Sequence, residues 1–299
     1  MIHPKVSVVI CTYNGESFLP QQLNSVIAQT YRNLEIIISD DNSSDDSVKI
    51  ARSFQDKDPR IKIHVNQQNL GYNKNFEQAF DRATSDFIAV CDQDDIWKPN
   101  KIADMMSLFN NETLLVYCRS VRFRNKVPNV EKYSRRNLFR GNDVKKLMYF
   151  NDIAGHNMLF KKELLQHAKP FPEGVFYDWW LTIVAAVFGT INSTEKVYTF
   201  HRWHSENATL TKKDQKVQTK AAAAARTLTL KHTLEIKGLK QEDFIFGKKF
   251  YKALTTLQNR RFSTTLLFFL LSHCNILFFF KKQPWSRIKM AIRMSFAID

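Results

Sequence analysis

The feature that most constrains this chain is the alternation, over its first hundred residues, of short apolar runs with stretches of helical period. Runs over 6–11, 34–39, 61–65 and 87–91 are each followed by a helical pattern, over 18–29, 45–54, 73–83 and 100–109. Repeated strand–helix units cannot close as hairpins, so they predict an α/β architecture with a mainly parallel central sheet flanked by helices. In such sheets ligands bind beyond the carboxyl ends of the strands. The residues there read Thr12-Tyr13-Asn14-Gly15, Asp40-Asp41-Asn42-Ser43, the stretch 66–71, and Asp92-Gln93-Asp94-Asp95. Polar and acidic groups therefore gather along one edge.

After position 110 the rhythm loosens into a strand over 114–123, a basic connection near 132–140, a segment over 155–160, a helix over 178–188 and a strand over 196–200. From 215 onward the pattern is helical and basic, starting near an alanine block at 221–225, a strong helix former. The 299 residues carry a formal charge of +15, unevenly spread. Residues 1–200 hold 25 basic and 23 acidic side chains, whereas 201–299 hold 19 and 6. This predicts a nearly neutral body over 1–214 and a basic helical C-terminal region over 215–299. Such a body argues against a nucleic-acid partner, which would call for a basic face throughout.

The most apolar window, 265–280, lies between Arg260-Arg261 and Lys281-Lys282. It is short for a spanning helix, which needs about 20 apolar residues. Together with Arg287, Lys289 and Arg293 it reads as a helix lying in the interface of an anionic cytoplasmic leaflet, or else as a buried core helix. The four cysteines, Cys11, Cys91, Cys118 and Cys274, show no CxxC spacing and read as reduced thiols. The opening residues lack a charged n-region followed by an apolar h-region. A cytoplasmic protein, peripheral at the inner face of the membrane, is the expectation.

Asp92 and Asp94, two apart at a strand end, project to the same side. Clustered carboxylates repel unless they share a cation, and a hard divalent ion on a diphosphate meets that need. The 8 glycines form neither GxGxxG nor GxxxxGK[ST], so a nucleotide would have to be read by side chains. Tyr13 can stack beside a base, and Asp41 can accept a base N–H.

Val6 through Gly15, Ile37 through Asp45, Asn69-Leu70-Gly71 and Asp92-Gln93-Asp94-Asp95 together resemble, in order, the signature of family 2 glycosyltransferases, which have the GT-A fold. Ala154-Gly155-His156-Asn157, Tyr177-Asp178-Trp179-Trp180 and the stretch from His201 to Asn207 are similar to a bacterial branch that includes rhamnosyltransferases. The resemblance reaches about residue 210. It implies that Thr12, Tyr13 and Asp41 hold the nucleobase, Asp92 the ribose, and Lys74 or Asn75 the donor phosphates. Asp94 would ligate magnesium or manganese, with His204 nearby beside Arg202 and Asn207. Asp40 would support its loop and Asp95 brace its turn.

Asp178 would be the general base. The family commonly places Glu-Asp here, and in Tyr177-Asp178 only the Asp carries over; the alternative is an acid opening the helix. Trp179 and Trp180 would form an aromatic wall or anchor the helix, with at most one facing a ligand. His156 and Asn157 would line the acceptor side or cap a turn. The implied activity is metal-dependent, inverting transfer from a UDP- or dTDP-linked sugar, rhamnose included, to a lipid-linked or polysaccharide acceptor in bacterial surface-glycan synthesis. A nucleotidyltransferase would want a basic Gly-rich segment near the N-terminus, which is absent. A basic nucleic-acid- or membrane-binding protein without catalysis is the third reading.

Overall fold

A computed structural model of the chain describes residues 3–132, 136–204, 215–257 and 260–296, with the backbone alone for 215–222. The chain divides into two compact units. The first comprises Met1–Tyr133, Ile153–Phe171 and Ile191–Trp203; the second comprises Ser134–Asp152, Pro172–Thr190 and His204–Asp299. The boundary expected between 214 and 215 falls beside residues outside those described.

In the first unit the strands are β1 (Val6–Thr12), β2 (Leu34–Asp40), β3 (Ile61–Val65), β4 (Phe87–Asp92), β5 (Ile96–Trp97), β6 (Thr113–Phe123), β7 (Met158–Lys161) and β8 (Thr190–Arg202). They form one sheet in the order β3-β2-β1-β4-β7-β6-β8-β5. Strands β1 to β4 are mutually parallel, as the strand–helix rhythm predicts. The far half turns antiparallel, with β7 against β4 and β6 and with β5 against β8. Helices α1 (Leu19–Ile27), α2 (Ser47–Gln55), α3 (Tyr72–Asp81), α4 (Lys101–Met106) and α5 (Leu165–Ala168) complete this unit.

Strand alternation sets the two faces. Val6, Val8 and Ile10 with Ile36 and Ile38 join one buried cluster with Leu19, Leu23 and Val26 of α1. Val9 and Ile37 are equally buried but point the other way, toward the side where α3 packs on β1 and β2. Burying a side chain of this size stabilises by roughly 1.5–3 kcal/mol, so both layers hold the sheet flat against its helices.

Register then fixes the site. Thr12 lies opposite Asp40, and Cys11 opposite Asp92, so β1, β2 and β4 end together. With β2 and β3 on one side of β1 and β4 on the other, that edge is a topological switch point, where open α/β sheets leave a crevice.

The second unit holds α6 (Tyr177–Phe188), α7 (Gln215–Leu234), α8 (Gln241–Thr255), α9 (Thr264–Ser272), α10 (Cys274–Leu277) and α11 (Pro284–Met294). Its interior is aromatic: the Tyr149 ring meets Phe250 at 5.1 Å and Phe278 at 6.0 Å, and Phe150 meets Phe280 at 5.6 Å. The window 265–280, expected to be one helix, is two. At the break Ser272 Oγ donates to the Phe268 carbonyl and His273 Nδ1 bonds the Phe269 carbonyl, which also accepts the His273 N–H at 3.1 Å. No described helix is long and apolar enough to cross a membrane.

Candidate active site

Three loops meet where β1, β2 and β4 end. The first, Tyr13 to Gly15, is held by the Gln93 side chain. Its Oε1 accepts the Tyr13 N–H at 2.9 Å while its Nε2 donates to the Tyr13 carbonyl at 3.0 Å. A Cβ on Gly15 would meet Gln93 Oε1 at 2.2 Å, so this clamp needs glycine there. The Tyr13 ring stays 48 % exposed, available for stacking.

Asp40 is fully buried and ties the second loop: its carboxylate accepts from Thr12 Oγ1 at 2.7 Å, the Ser43 N–H at 2.8 Å and Ser43 Oγ at 2.6 Å. The Thr12 hydroxyl is thus already committed to Asp40. Asp41 reaches across to the third loop. Its Oδ1 accepts from Asn66 Nδ2 and the Leu70 N–H, and its Oδ2 from the Gly71 N–H, all at 2.9 Å. Gly71, at φ 78°, presents that N–H from a left-handed backbone just before α3. Asn75 is buried and bonded to Ser39 and Asn66. Lys74 is half exposed and ion-paired to Glu77 at 2.6 Å.

Asp92, one-third exposed, is bonded through Oδ2 to His156 Nδ1 at 3.2 Å. Behind it Asp95 is fully buried, accepting from the Arg202 N–H at 3.1 Å and pairing with His201 Nδ1 at 3.0 Å. Arg202 in turn donates Nε to the Asp94 carbonyl at 3.0 Å and Nη2 to Gln21. Burial pushes the His156 imidazole down, but the Asp95 and Asp92 carboxylates outweigh it and hold its pKa above the ordinary value. Burial likewise pushes Asp92 up, and its hydrogen bond and charge pairing with His156 bring it below the usual carboxylate range. Under both lies Lys101, wholly buried, with Nζ donating to the His156 carbonyl at 2.7 Å and to Thr199 Oγ1 at 3.0 Å. Desolvation lowers its pKa.

Among the described residues, the His and carboxylate group gathered tightly enough for a metal is Asp95, His156 and His201, whose ligand atoms lie within 4.8 Å of one another. The two imidazole planes stack 12° from parallel with centroids 4.8 Å apart, so their in-plane lone pairs run side by side instead of converging. That geometry suits hydrogen bonding into Asp95. A hard divalent ion prefers carboxylate oxygens to imidazoles, and Asp94 stands just beyond the end of β4.

His156 and Asn157, read from the sequence as lining the acceptor side or capping a turn, are buried behind these carboxylates, where both bond Ser120 Oγ at 3.1 Å. Trp179 and Trp180 are both buried on α6, and Trp179 Nε1 donates to the Leu147 carbonyl at 2.7 Å, a contact that anchors the helix. Asp178 sits in the first turn of α6, its Oδ1 accepting the Trp179 N–H at 2.7 Å. Asp178 and His204 belong to the second unit, and Asp92 and Asp94 to the first. Asn207 lies outside the described residues. Gln93, Lys101 and His201 were not legible as site residues, because their partners are backbone atoms or side chains dozens of positions away.

Residues 7–168 match the model of glycosyl transferase family 2. The GalNAc(5)-diNAcBac-PP-undecaprenol beta-1,3-glucosyltransferase of Campylobacter jejuni is 31 % identical over 170 residues, which are 56 % of this chain and 54 % of that protein. The chain spans 34 to 66 % of the length of the first curated relatives it matches. Among solved structures, S. aureus TarS residues 1–349 in complex with UDP-GlcNAc superimposes with a TM-score of 0.61 at 16 % identity, covering 91 % of this chain and 81 % of that one. Mannosyltransferase PcManGT from Pyrobaculum calidifontis, in complex with GDP-Man and Mn2+, gives 0.61 at 18 % identity over 84 % and 70 %. With the family's model matched over more than half of its length and the GT-A sheet and loop edge in place, the chain belongs to glycosyl transferase family 2.

Proposed function

We propose that this chain is a metal-dependent, inverting glycosyltransferase that moves a sugar from a UDP- or dTDP-linked donor, rhamnose included, to a lipid-linked or polysaccharide acceptor in bacterial surface-glycan synthesis. The observation that carries the reading is the common ending of β1, β2 and β4, which brings Tyr13, Asp41 and Asp92 to one crevice. The C. jejuni relative is named for transfer to an undecaprenol-linked glycan, and the two solved neighbours hold nucleotide-sugars.

Tyr13 offers its exposed ring to the base, and Asp41 keeps lone pairs on a carboxylate already fixed by three N–H donors. Thr12 holds that loop through Asp40, and Asp92 faces the ribose with its free edge while His156 fixes the other. Asp94, with His204 as a further donor, would hold magnesium or manganese, which when bound supplies positive charge to the leaving diphosphate. Lys74 would reach the phosphates by exchanging Glu77 for them. Asp178, in the first turn of α6, takes the acceptor hydroxyl proton as that oxygen attacks the anomeric carbon. Docking at the inner membrane leaflet through the basic C-terminal region would place the enzyme where lipid-carried acceptors reside.

A screen of nucleotide-sugars tests this, reading hydrolysis and thermal stabilisation with manganese, with magnesium and with chelator. One donor is expected to raise stability only in the presence of the ion. Asp178→Asn should lower kcat by about 10²–10⁴ while leaving donor stabilisation intact, and Asp94→Ala should abolish that stabilisation. Turnover that survives both chelation and Asp94→Ala would overturn the metal assignment.

A further inference from the structure

The second unit shows an outward stripe that its own packing does not use. Between Phe244 and Ile298 the sequence has ten lysines and arginines and no Asp or Glu. Within that stretch α11 packs on α9 and α10, burying Ala291, with Ser295 buried just past its end. Arg287 is drawn inward, its Nε donating to the Lys281 carbonyl at 2.9 Å and its Nη1 to Asn275 Oδ1 at 2.8 Å. The opposite side of the helix carries Trp285, Lys289, Ile292 and Arg293, all exposed. Positions 285, 289 and 292, spaced by four and three, share one helical face. Trp285 is 74 % exposed, Ile292 44 %, and Phe296, just past the helix end, 48 %. Lys282, two residues before the helix, is exposed too.

We propose that this face of α11, with Trp285 and Ile292 as apolar anchors and Lys282, Lys289 and Arg293 beside them, is the surface by which the chain lies on an anionic lipid bilayer. The inference rests on the membrane-docking part of the function proposed above and assigns it to one helix. Large aromatic and aliphatic groups interleaved with cations, on a short helix that cannot span, match an interfacial helix whose apolar side enters the headgroup boundary. An indole suits that boundary because its body is apolar and its N–H remains near water. Charge decides between a bilayer and a second copy of the chain. A two-fold contact through this face would set its cations against the same cations, with no carboxylate from 244 to 298 to offset them.

The test is co-sedimentation of the full chain with vesicles of phosphatidylcholine alone or mixed with phosphatidylglycerol, at low and high salt. Wild type is expected to pellet with the anionic vesicles at low salt and to be released by salt. The double variants Trp285→Ser/Ile292→Ser and Lys289→Glu/Arg293→Glu should each lower partitioning by about tenfold or more. Ile245→Ser, which removes an exposed apolar group from α8, should pellet like wild type. Hydrolysis of a soluble nucleotide-sugar should be unchanged in every variant, which separates lost docking from lost folding. If wild type pellets and both α11 variants do so equally well, this face is wrong although membrane docking stands. If wild type stays in solution even with anionic vesicles, the docking reading fails and this inference with it. Sedimentation velocity that shows the variants turning a dimer into a monomer, with pelleting unaltered, would assign the face to self-association instead.

Discussion

Gly15 and Gln93 show how much of the crevice depends on single atoms. The Gln93 amide satisfies both backbone groups of Tyr13, and a methyl at Gly15 would fall 2.5 Å from its amide carbon. Gln93 could swing aside to admit the methyl, but only by giving up both hydrogen bonds, a loss of about 1–3 kcal/mol. Gly15→Ala and Gln93→Ala are therefore expected to weaken donor binding by similar amounts, about tenfold, and to be non-additive in the double variant, because each removes the same clamp. Isothermal titration with UDP and manganese measures this; additive losses would mean that the two residues act separately. At this scale the sequence shows the acidic cluster but not its internal division of labour. Asp92, Asp94 and Asp95 look alike in a string. What makes Asp95 a buried brace is His201, more than a hundred residues later, together with the Arg202 N–H.

Among the elements, β1 to β4 and their helices are legible because burial on both faces demands unbroken β-branched runs, as in Ile36-Ile37-Ile38. The strand β8 is legible only at its apolar end. Its first half, with Asn192, Ser193, Thr194 and Glu195, alternates buried and half-exposed positions and carries too little hydrophobic signal. Two-residue β5 has no periodicity to read. The opposite end of the parallel strands yields a stability prediction. Glu35 on β2 is buried at 2 % exposure and accepts from Ser7 Oγ, the Thr84 N–H and Thr84 Oγ1, with Lys5 and Lys62 at 3.2 and 3.3 Å. Burial pushes its pKa up, but these donors outweigh burial and hold it well below the usual carboxylate range. A depressed carboxylate contributes stability that is fully present above its unfolded pKa of 4.5 and is lost as pH falls toward the folded value. Glu35→Gln should cost about 2–4 kcal/mol at neutral pH, and the gap to wild type should close steadily below pH 4.5, as denaturant melts at several pH values will show. A gap that stays constant with pH would mean that the network is held by shape and not by charge.

At the level of the whole molecule, the charge split between a neutral body and a basic C-terminal region is plain in the sequence, whereas the chain's path is not. The two units interleave: Ser134–Asp152 and Pro172–Thr190 precede the charge boundary, yet both belong to the second unit. Composition cannot reveal this, because a segment such as Leu147-Met148-Tyr149-Phe150 is apolar whichever core it enters. In the structure Tyr149 and Phe150 pack on Phe250, Phe278 and Phe280, and Met148 lies against Gly247, where an added Cβ would come within 3.4 Å of its methyl. A chain cut after residue 214 would keep Leu147, Met148 and Tyr149, all buried, together with α6, but lose α8 and α10, which pack on the same segment. Each such side chain forfeits roughly 1.5–3 kcal/mol, and three together approach the whole stability of an ordinary domain, about 5–15 kcal/mol. The 1–214 fragment is accordingly expected to be recovered mostly insoluble, or to bind a dye specific for exposed apolar surface and melt without a cooperative transition. Differential scanning calorimetry beside the full chain decides it, since a sharp, fully reversible transition in the fragment would show that the body folds without the rest.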